Sequence, residues 1–542
     1  MQPLELRGRV ASPGLALGPL VSLAPSGDAP SRRTAGSSAE EAAALQAAVA
    51  RAIADIGALI AGEQGAAAEM LEFQVAMLSD DALSAPALAA IATGRPADSA
   101  WSEALDAEIA GYTSSGDDYF RARASDLRDL RDRVLMSLRP ETAADAIPAG
   151  SILWAEDLAP TRFLEHDWSQ GGGIALSAGS ASSHVAMLAR ARGIPMLVGV
   201  APAGLVGEDC VALLDAEGGR LTLSPGPDAV ADYEAAQARA SQRASAELAV
   251  MQGPAVTRDG TPVEVLINVA TPSDVDGLEP SCCDGIGLMR SELLFRDGAP
   301  LPGEEEQLSA YRRIIHWAAG RPVTVRTLDI GGDKPIAGLT PKGEANPFLG
   351  QRGIRLLLAH QDVLKVQLRA LARAAALGPL KVMLPMVTLP EELAAAAALL
   401  SAAVEEAKVA GHAAARPPLG IMVEVPAVAI APEAFPDAAF FSIGSNDLTQ
   451  YVMAAARDLG SVDHLYRPDH PAVLALIHNT VRAATRMGMP VSVCGDMAGD
   501  ERYIAALLAI GVRSLSVAPG LLGRVKTTIR SVDLGEAAHG TA

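Results

Sequence analysis

The sequence predicts a multidomain α/β protein whose carboxyl-terminal half is a (β/α)8 barrel. Three patterns carry this expectation. From about residue 262 onward, eight apolar strand candidates alternate with polar turns and mostly Ala-rich helical segments, and eight such units in roughly 270 residues match the size of that barrel. Between about residues 37 and 138, Ala, Glu, Asp, Arg and Leu recur at helical spacing without a strand signal. Short strands flank this helical block on both sides, which makes it an insertion into a smaller α/β domain.

At 542 residues the chain has room for two to four domains, because single cores rarely grow beyond roughly 250 to 300 residues. The net charge of −20 argues against a nucleic-acid phosphate backbone or an anionic membrane surface as the main partner and suits a partner with a basic face. The amino terminus, MQPLELRGRV, lacks the apolar core of a signal peptide, and no uninterrupted apolar run approaches a membrane span. A cytoplasmic protein is expected. Cys210, Cys282, Cys283 and Cys494 show no CxxC spacing, which fits neither a disulfide framework nor a zinc site.

Residues 5 to 23, turning at Ser12, Pro13 and Gly14, read as a short strand pair that must pack on something later in the chain. In the helical block, SDLRDLRDRVLMSL places Leu127, Leu130, Val134 and Leu138 on one face and mixed charges on a solvated face. Pro140 and Pro148 close the block, and the strands SILWAED, GGIALSA, IPMLVGV and CVALLDAEGGRLTL follow. Within them, GSASSHVAMLARARGIPMLVGV puts His184 in the first turn of a helix with Val185, Met187 and Leu188 as its apolar stripe, ended by Gly193, Ile194 and Pro195. Unpaired backbone N–H groups and the helix dipole suit a phosphoryl group or other anion there. A helix capped by Ser182 or Ser183, with an incidental surface histidine, explains these residues equally well. After Pro225 a weakly striped segment reads as a connecting helix, on which a histidine domain would move. The expected division is 1–24 with 142–223 as the histidine domain, 25–141 as the inserted helical domain, 224–254 as the connector and 255–535 as the barrel.

Barrel active sites lie at the carboxyl ends of the strands. VEVLINV, DGIGLM, VTVRTLD, LKVMLPMV, LGIMVEV, AFFSIGS, VSVCG and SLSVAP are the strand candidates. Their ends present Arg290, Arg326, Asp329, Glu424, Asn446, Asp447 and Cys494, with Lys334, Arg352 and Arg457 in loops that reach the same mouth. Several guanidiniums favour a ligand bearing phosphate and carboxylate groups, which they bind bidentately. Each arginine alone is better explained by a surface or loop ion pair; their joint placement favours the ligand. Glu424 and Asp447 are a pair of hard oxygen ligands suited to Mg²⁺. Cys494 is either a small buried hydrophobe or a proton donor to a carbanion or enolate.

These motifs taken together resemble Enzyme I of the phosphoenolpyruvate-dependent phosphotransferase system over essentially the whole length. The resemblance is carried by ASPGLALGP, SSHVAMLARARGIPMLVG, DGIGLMRSELLF, VRTLDIGGDKP, NPFLGQRGIR, GIMVEVPA, FFSIGSNDLTQY, CGDMAGDE and ERYIAALLAIGV. It implies a swivelling phosphohistidine domain with His184 as the phosphorylated residue. It further implies that Arg290, Arg326 and Arg457 hold the phosphate of phosphoenolpyruvate, with Asn446 beside it, that Glu424 and Asp447 bind Mg²⁺, and that Cys494 protonates the enolpyruvate to give pyruvate. The helical insertion would dock the histidine phosphocarrier protein HPr or a paralogue, and the barrel would form a homodimer. The chain departs from the family's GGxTSH in GSASSH, with Ser180 and Ser182 at the changed positions, and carries Asp496 where many relatives have glutamate. It ends soon after the last barrel helix, which would weaken the dimer. The absence of a sensory segment before residue 1 favours the sugar-transport branch over the nitrogen-regulatory one. A dikinase or phosphoenolpyruvate synthase is the rival within enzymes, and it lacks support because no GxxxxGK[ST] loop is present. A sensor that binds without turnover is the rival outside them.

Overall fold

The computed structural model describes residues 3–23, 36–60, 66–113, 118–138, 147–179, 183–201, 210–295, 300–332, 334, 336–341, 343–456 and 462–537. They fall into two compact units, 1–239 and 240–542.

The first unit opens with three strands, β1 (Leu4–Arg7), β2 (Arg9–Ser12) and β3 (Leu15–Ser22). The expected strand pair is therefore wrong: β2 and β3 do not pair with each other. Gly8 explains the break between β1 and β2, since a Cβ there would lie 2.7 Å from a Val200 methyl and 3.1 Å from the Val198 carbonyl. The chain passes close to that strand and changes partners. Five helices follow, α1 (Ser38–Ile60), α2 (Ala66–Leu78), α3 (Asp81–Ala92), α4 (Ala97–Thr113) and α5 (Asp118–Leu138). Strands β4 (Ile152–Ala155), β5 (Gly173–Leu176), β6 (Met196–Val198), β7 (Val211–Asp215) and β8 (Arg220–Leu223) complete one sheet in the order β1-β8-β7-β3-β4-β5-β6-β2. Its centre, β3 to β6, is parallel, and its flanks are antiparallel.

The helices and the sheet share one hydrophobic core: Leu45, Ala48, Leu130 and Val134 from the helices cluster with Phe163, Leu176 and Val198. The expected inner face of α5 is present, as Leu127, Leu130, Val134 and Leu138 are all buried. Its charged face is not simply solvated, because Asp126, Asp129 and Arg133 are buried as well. Asp129 accepts from Thr161 Oγ1 at 2.6 Å and from Gln74 Nε2 at 3.2 Å, while Arg133 pairs with Glu165 at 2.5 Å. Thr161 and Glu165 belong to a short helix, α6 (Pro160–Glu165), whose docking onto α5 no local spacing in α5 announces. Although Gln46, Arg51 and Asp55 interrupt its apolar residues, as expected of a chain with no uninterrupted span-length run, α1 is long and apolar enough to cross a membrane by length and composition. Its inner residues Leu45, Ala48, Ala52 and Ile56 pack in the bundle, and buried Glu41 accepts from the Ala97 N–H at 2.7 Å.

A nine-residue helix, α7 (His184–Arg192), joins β5 to β6, and α8 (Pro227–Met251), with no buried residue, carries the chain across the boundary of the two units. The second unit is the (β/α)8 barrel. After a short β9 (Ala255–Val256) come β10 (Pro262–Val269), β11 (Ile286–Arg290), β12 (Val323–Arg326), β13 (Leu380–Leu384), β14 (Leu419–Val423), β15 (Phe441–Ile443), β16 (Val491–Val493) and β17 (Ser514–Val517). Each of the eight strands from β10 on runs parallel to its neighbours within the ring, which β10 closes by pairing with both β17 and β11, while β9 pairs antiparallel with the start of β10. The alternation of side chains along a strand separates two clusters. Residues such as Met289, Val382, Ile421 and Val493 join the large core, whereas Leu288, Met383, Met422, Phe440 and Cys494 form a second, smaller one.

Because helices and sheet share a core in the first unit, they should lose structure together. Leu45→Ala is expected to cost about 2–5 kcal/mol and to raise hydrogen exchange of α5 and β5 amides in parallel. Faster exchange confined to the helices would show the two layers to be separable.

Candidate active site

The carboxyl ends of the barrel strands open into one cavity lined by Arg290, Arg326, Lys334, Arg352, Glu424, Asn446, Asp447 and Cys494, together with Asp329, Leu288 and Met422. Of the barrel residues singled out from the sequence, only Arg457 lies outside the described residues. Period-2 geometry explains part of the convergence: Arg290 follows Leu288 by two positions and Glu424 follows Met422 by two, so each points to the same side as a residue of the smaller apolar cluster. Among the described residues, Arg290 makes no ion pair. It also borders an adjoining cavity shared with Asn268, Asp274 and Asp496.

The other arginines are held in place. Arg352 donates Nε and Nη2 to the two oxygens of Asp329, each at 3.1 Å, and Nη1 and Nη2 to those of Asp447, each at 3.0 Å. Arg326 pairs with Asp329 at 3.1 Å and with Glu292. Burial alone would raise the Asp329 carboxyl, but Arg326 and Arg352 outweigh it and hold the group below the usual carboxylate range. Glu292 follows Arg290 on the RSEL segment, and its part in fixing Arg326 is not legible from spacing. Tyr451 was likewise missed; its hydroxyl donates to the Phe348 carbonyl at 2.6 Å and lies 3.5 Å from Arg352 Nη1.

Glu424 is only 1% exposed and accepts from the Met386 N–H at 2.6 Å. Met386 adopts φ +58°, and it packs against Gly353, itself at φ +58°, where a Cβ would lie 2.9 Å from Met386 Cβ. A side chain at 353 would push that N–H donor off Glu424. Burial, then Asp447 and Asp329, raise the Glu424 carboxyl above its ordinary value. Glu292, Asp329, Glu424 and Asp447 stand against the guanidiniums of Arg290, Arg326 and Arg352 and the ammonium of Lys334, four charges of each sign. The carboxylates of Glu424 and Asp447 supply hard oxygen donors of the kind a divalent cation takes. In this arrangement, however, both Asp447 oxygens already accept from Arg352.

Cys494 is buried, and burial first, followed by the Glu424 charge, pushes its thiol up to about 11 against a hydrogen bond from Ser442 and the nearby arginines. It therefore keeps its proton at neutral pH. Asn446 and Asp496 are bonded reciprocally, Nδ2 to Oδ2 and the Asp496 N–H to Oδ1, both at 2.9 Å. The shorter acid at 496 thus fastens Asn446 to the turn after Cys494.

In the first unit His184 is the first residue of α7. Ser183 is its cap, with Oγ accepting from the Ala186 N–H at 3.3 Å, and Gly193 ends it at φ +66°. Ser182 lies outside the described residues. The expected stripe is corrected: Val185, Ala186 and Ala189 are buried, but Met187 is exposed, because a short helix laid on a sheet turns its small residues inward. His464 and His470 stand apart from the cavity lining; His470 caps the helix Pro471–Met487.

Three segments match the PEP-utilising enzymes: residues 7–123 the N-terminal domain, 147–219 the mobile domain and 244–534 the PEP-binding domain. The class is thereby defined, a PEP-utilising enzyme with its barrel as the PEP-binding part. The phosphoenolpyruvate-protein phosphotransferase of Geobacillus stearothermophilus is 36% identical over 546 residues, which cover 98% of this chain and 94% of that protein. That of Haemophilus influenzae is 36% identical, covering 80% and 77%. The multiphosphoryl transfer protein of Rhodobacter capsulatus is 38% identical over 85% of this chain and 55% of its own. The chain belongs to the phosphoenolpyruvate-protein phosphotransferase (Enzyme I) family.

Asp329→Asn removes one carboxylate from two buried guanidiniums and is expected to cost about 3–5 kcal/mol at neutral pH. Since its folded pKa is lowered, this contribution is complete above the unfolded value of about 3.9 and is lost as pH falls through the folded value. Denaturation of wild type and variant should therefore show a gap that is steady down to about pH 5 and narrows progressively between about pH 4 and about pH 2. A gap undiminished in strong acid would contradict the ion-pair account.

Proposed function

We propose that the chain transfers the phosphoryl group of phosphoenolpyruvate to its own His184, releasing pyruvate, and passes it on to a histidine of HPr or a paralogous carrier. The observation that carries this reading is the convergence of Arg290, Arg326, Lys334, Arg352, Glu424, Asn446, Asp447 and Cys494 on one barrel-mouth cavity. Arg290 and Arg326, with Arg457, hold the phosphate; the planar fork matches its oxygens. Lys334 adds a point charge. Arg352 serves as a substrate ligand only by exchanging Asp447 for a phosphate oxygen, so it acts both as scaffold and as donor. Glu424 and Asp447 are the residues that would hold Mg²⁺, which when bound neutralises phosphate and enolate oxygens. Transfer breaks the bond from the enol oxygen to phosphorus and forms one from a His184 nitrogen to phosphorus. The departing enolate takes the proton of the Cys494 thiol at carbon and becomes pyruvate. The resulting thiolate is reprotonated from solvent before the next cycle. Ser183, and Ser182 beside it, assist at the start of the helix that carries His184.

The division into a histidine domain (1–24 and 142–223), a carrier-docking helical insertion (25–141), a connector (224–254) and the barrel (255–535) belongs to the same reading. So do a homodimer formed through the barrel and a cytoplasmic location. The net charge of −20 suits a carrier with a basic face.

Radiolabelled phosphoenolpyruvate with Mg²⁺ is expected to place acid-labile, base-stable label on the wild type and none on His184→Ala. Label that required ATP would indicate a dikinase; no label under any condition would indicate a sensor. In the same assay Cys494→Ala should slow pyruvate formation by about 10²–10⁴-fold. An unchanged rate would remove Cys494 from the mechanism.

A further inference from the structure

We propose that Gln367 is a positioning residue for phosphoenolpyruvate, a single buried amide that fixes the chain segments carrying Arg290, Arg326 and Asp329. The proposal rests on the reading of the barrel mouth given above. Gln367 is wholly buried on the helix Gln361–Ala374 and does not line the cavity. Its Oε1 accepts from the Leu328 N–H at 3.0 Å. Its Nε2 donates to Ser291 Oγ at 3.1 Å and to the Tyr311 hydroxyl at 3.2 Å.

The targets of these bonds give the amide its role. Leu328 lies between Arg326 and Asp329. The Thr327 N–H still reaches the Met383 carbonyl at 2.9 Å, but the next N–H has left the strand, and Gln367 takes it up. Ser291 follows Arg290, and its hydroxyl donates to the Arg326 carbonyl at 2.8 Å. Three residues of the proposed phosphate site are thus tied to one side chain that touches none of their charged ends. On the far side, Tyr311 donates to Gln307 Oε1 at 3.2 Å, and Gln307 Nε2 donates to the Pro302 carbonyl at 3.0 Å. Gln307, Tyr311, Ser291 and Gln367 are all buried. Both N–H bonds and the oxygen of the Gln367 amide are engaged, so its orientation is determined. A satisfied buried network of this kind specifies one geometry. An apolar side chain of the same size would fill the space and leave the Leu328 N–H without its acceptor.

Gln367→Met keeps volume and removes the amide. The expected result is a rise of about tenfold or more in the KM for phosphoenolpyruvate, with loss of the thermal stabilisation that phosphoenolpyruvate gives the wild type. Back-transfer of phosphate from phosphorylated HPr to His184 uses the other unit and should stay within about twofold. Gln367→Glu, which keeps the acceptor for Leu328, should fall between variant and wild type. Ser291→Ala removes only the bond to the Arg326 carbonyl and should raise the same KM several-fold. Tyr311→Phe spares the bonds to Leu328 and Ser291 and should leave it within about threefold. A folded Gln367→Met protein with wild-type KM overturns the proposal, as does an equal loss of back-transfer, which would mark Gln367 as merely structural. If Gln367→Met does not fold, an unaltered KM in Ser291→Ala overturns it. Should phosphoenolpyruvate fail to stabilise the wild type, the reading of the barrel mouth itself falls, and the role of Gln367 falls with it.

Discussion

Arg352 spans two carboxylates that belong to different barrel units, Asp329 just past β12 and Asp447 in the helix after β15, and holds both with paired hydrogen bonds near 3 Å. The mouth of the barrel depends on this bridge. Arg352 itself sits beside Gly353, whose close approach to Met386 sets the N–H that Glu424 accepts. One guanidinium therefore fixes, directly or through the adjoining turn, three of the four carboxylates in the site. Arg326 shares Asp329 with it and brings in the fourth, Glu292.

Such a cluster is a poor way to stabilise a fold, because desolvating each charge costs several kcal/mol and the attraction between partners only roughly offsets it. It is a good way to hold charges where a reaction needs them. Donors aimed in advance at a phosphoryl group do not have to reorganise when charge moves, and that is where most electrostatic catalysis originates. The fold supplies the stability elsewhere, in a closed ring of parallel strands whose outer faces pack on helices. The barrel core thus bears the cost of a strained and highly charged mouth.

What the sequence disclosed follows from the same division. Parallel strands buried on both faces are uninterrupted apolar runs, so the first charged residue after each run is conspicuous, and Arg290, Arg326 and Glu424 are legible for that reason. Glu292 and Gln367 are not, because each reaches its partner across tertiary space and neither spacing nor residue type marks it. The buried Asp129 and Arg133 of α5 show the limit more sharply. A charged residue at a helical position reads as solvated until the later segment that covers it, here Thr161 to Glu165, is known to dock. Met187 fails in the opposite direction, since an apolar residue on a short helix is exposed when alanines provide the close contact.

The electrostatics of the mouth also couple its ligands. Burial first, then the charges of Asp447 and Asp329, raises the proton affinity of Glu424. A phosphate dianion entering alone would meet the carboxylates of Asp329, Glu424 and Asp447 as well as the arginines and Lys334. A divalent cation entering alone would compete with Arg352 for Asp447. On the proposed reading the two together would compensate each other's charge, and Arg352, released from Asp447, would gain a phosphate oxygen in exchange. Each ligand would then increase the affinity of the other by the same factor, because the coupling free energy is a property of the ternary complex and not of either partner. Burial and then the Glu424 charge raise the Cys494 thiol further above neutrality, so it holds its proton more firmly than a free cysteine would. On the proposed reading, the carboxylate that would hold the cation also strengthens the hold of Cys494 on the proton that the enolate would take.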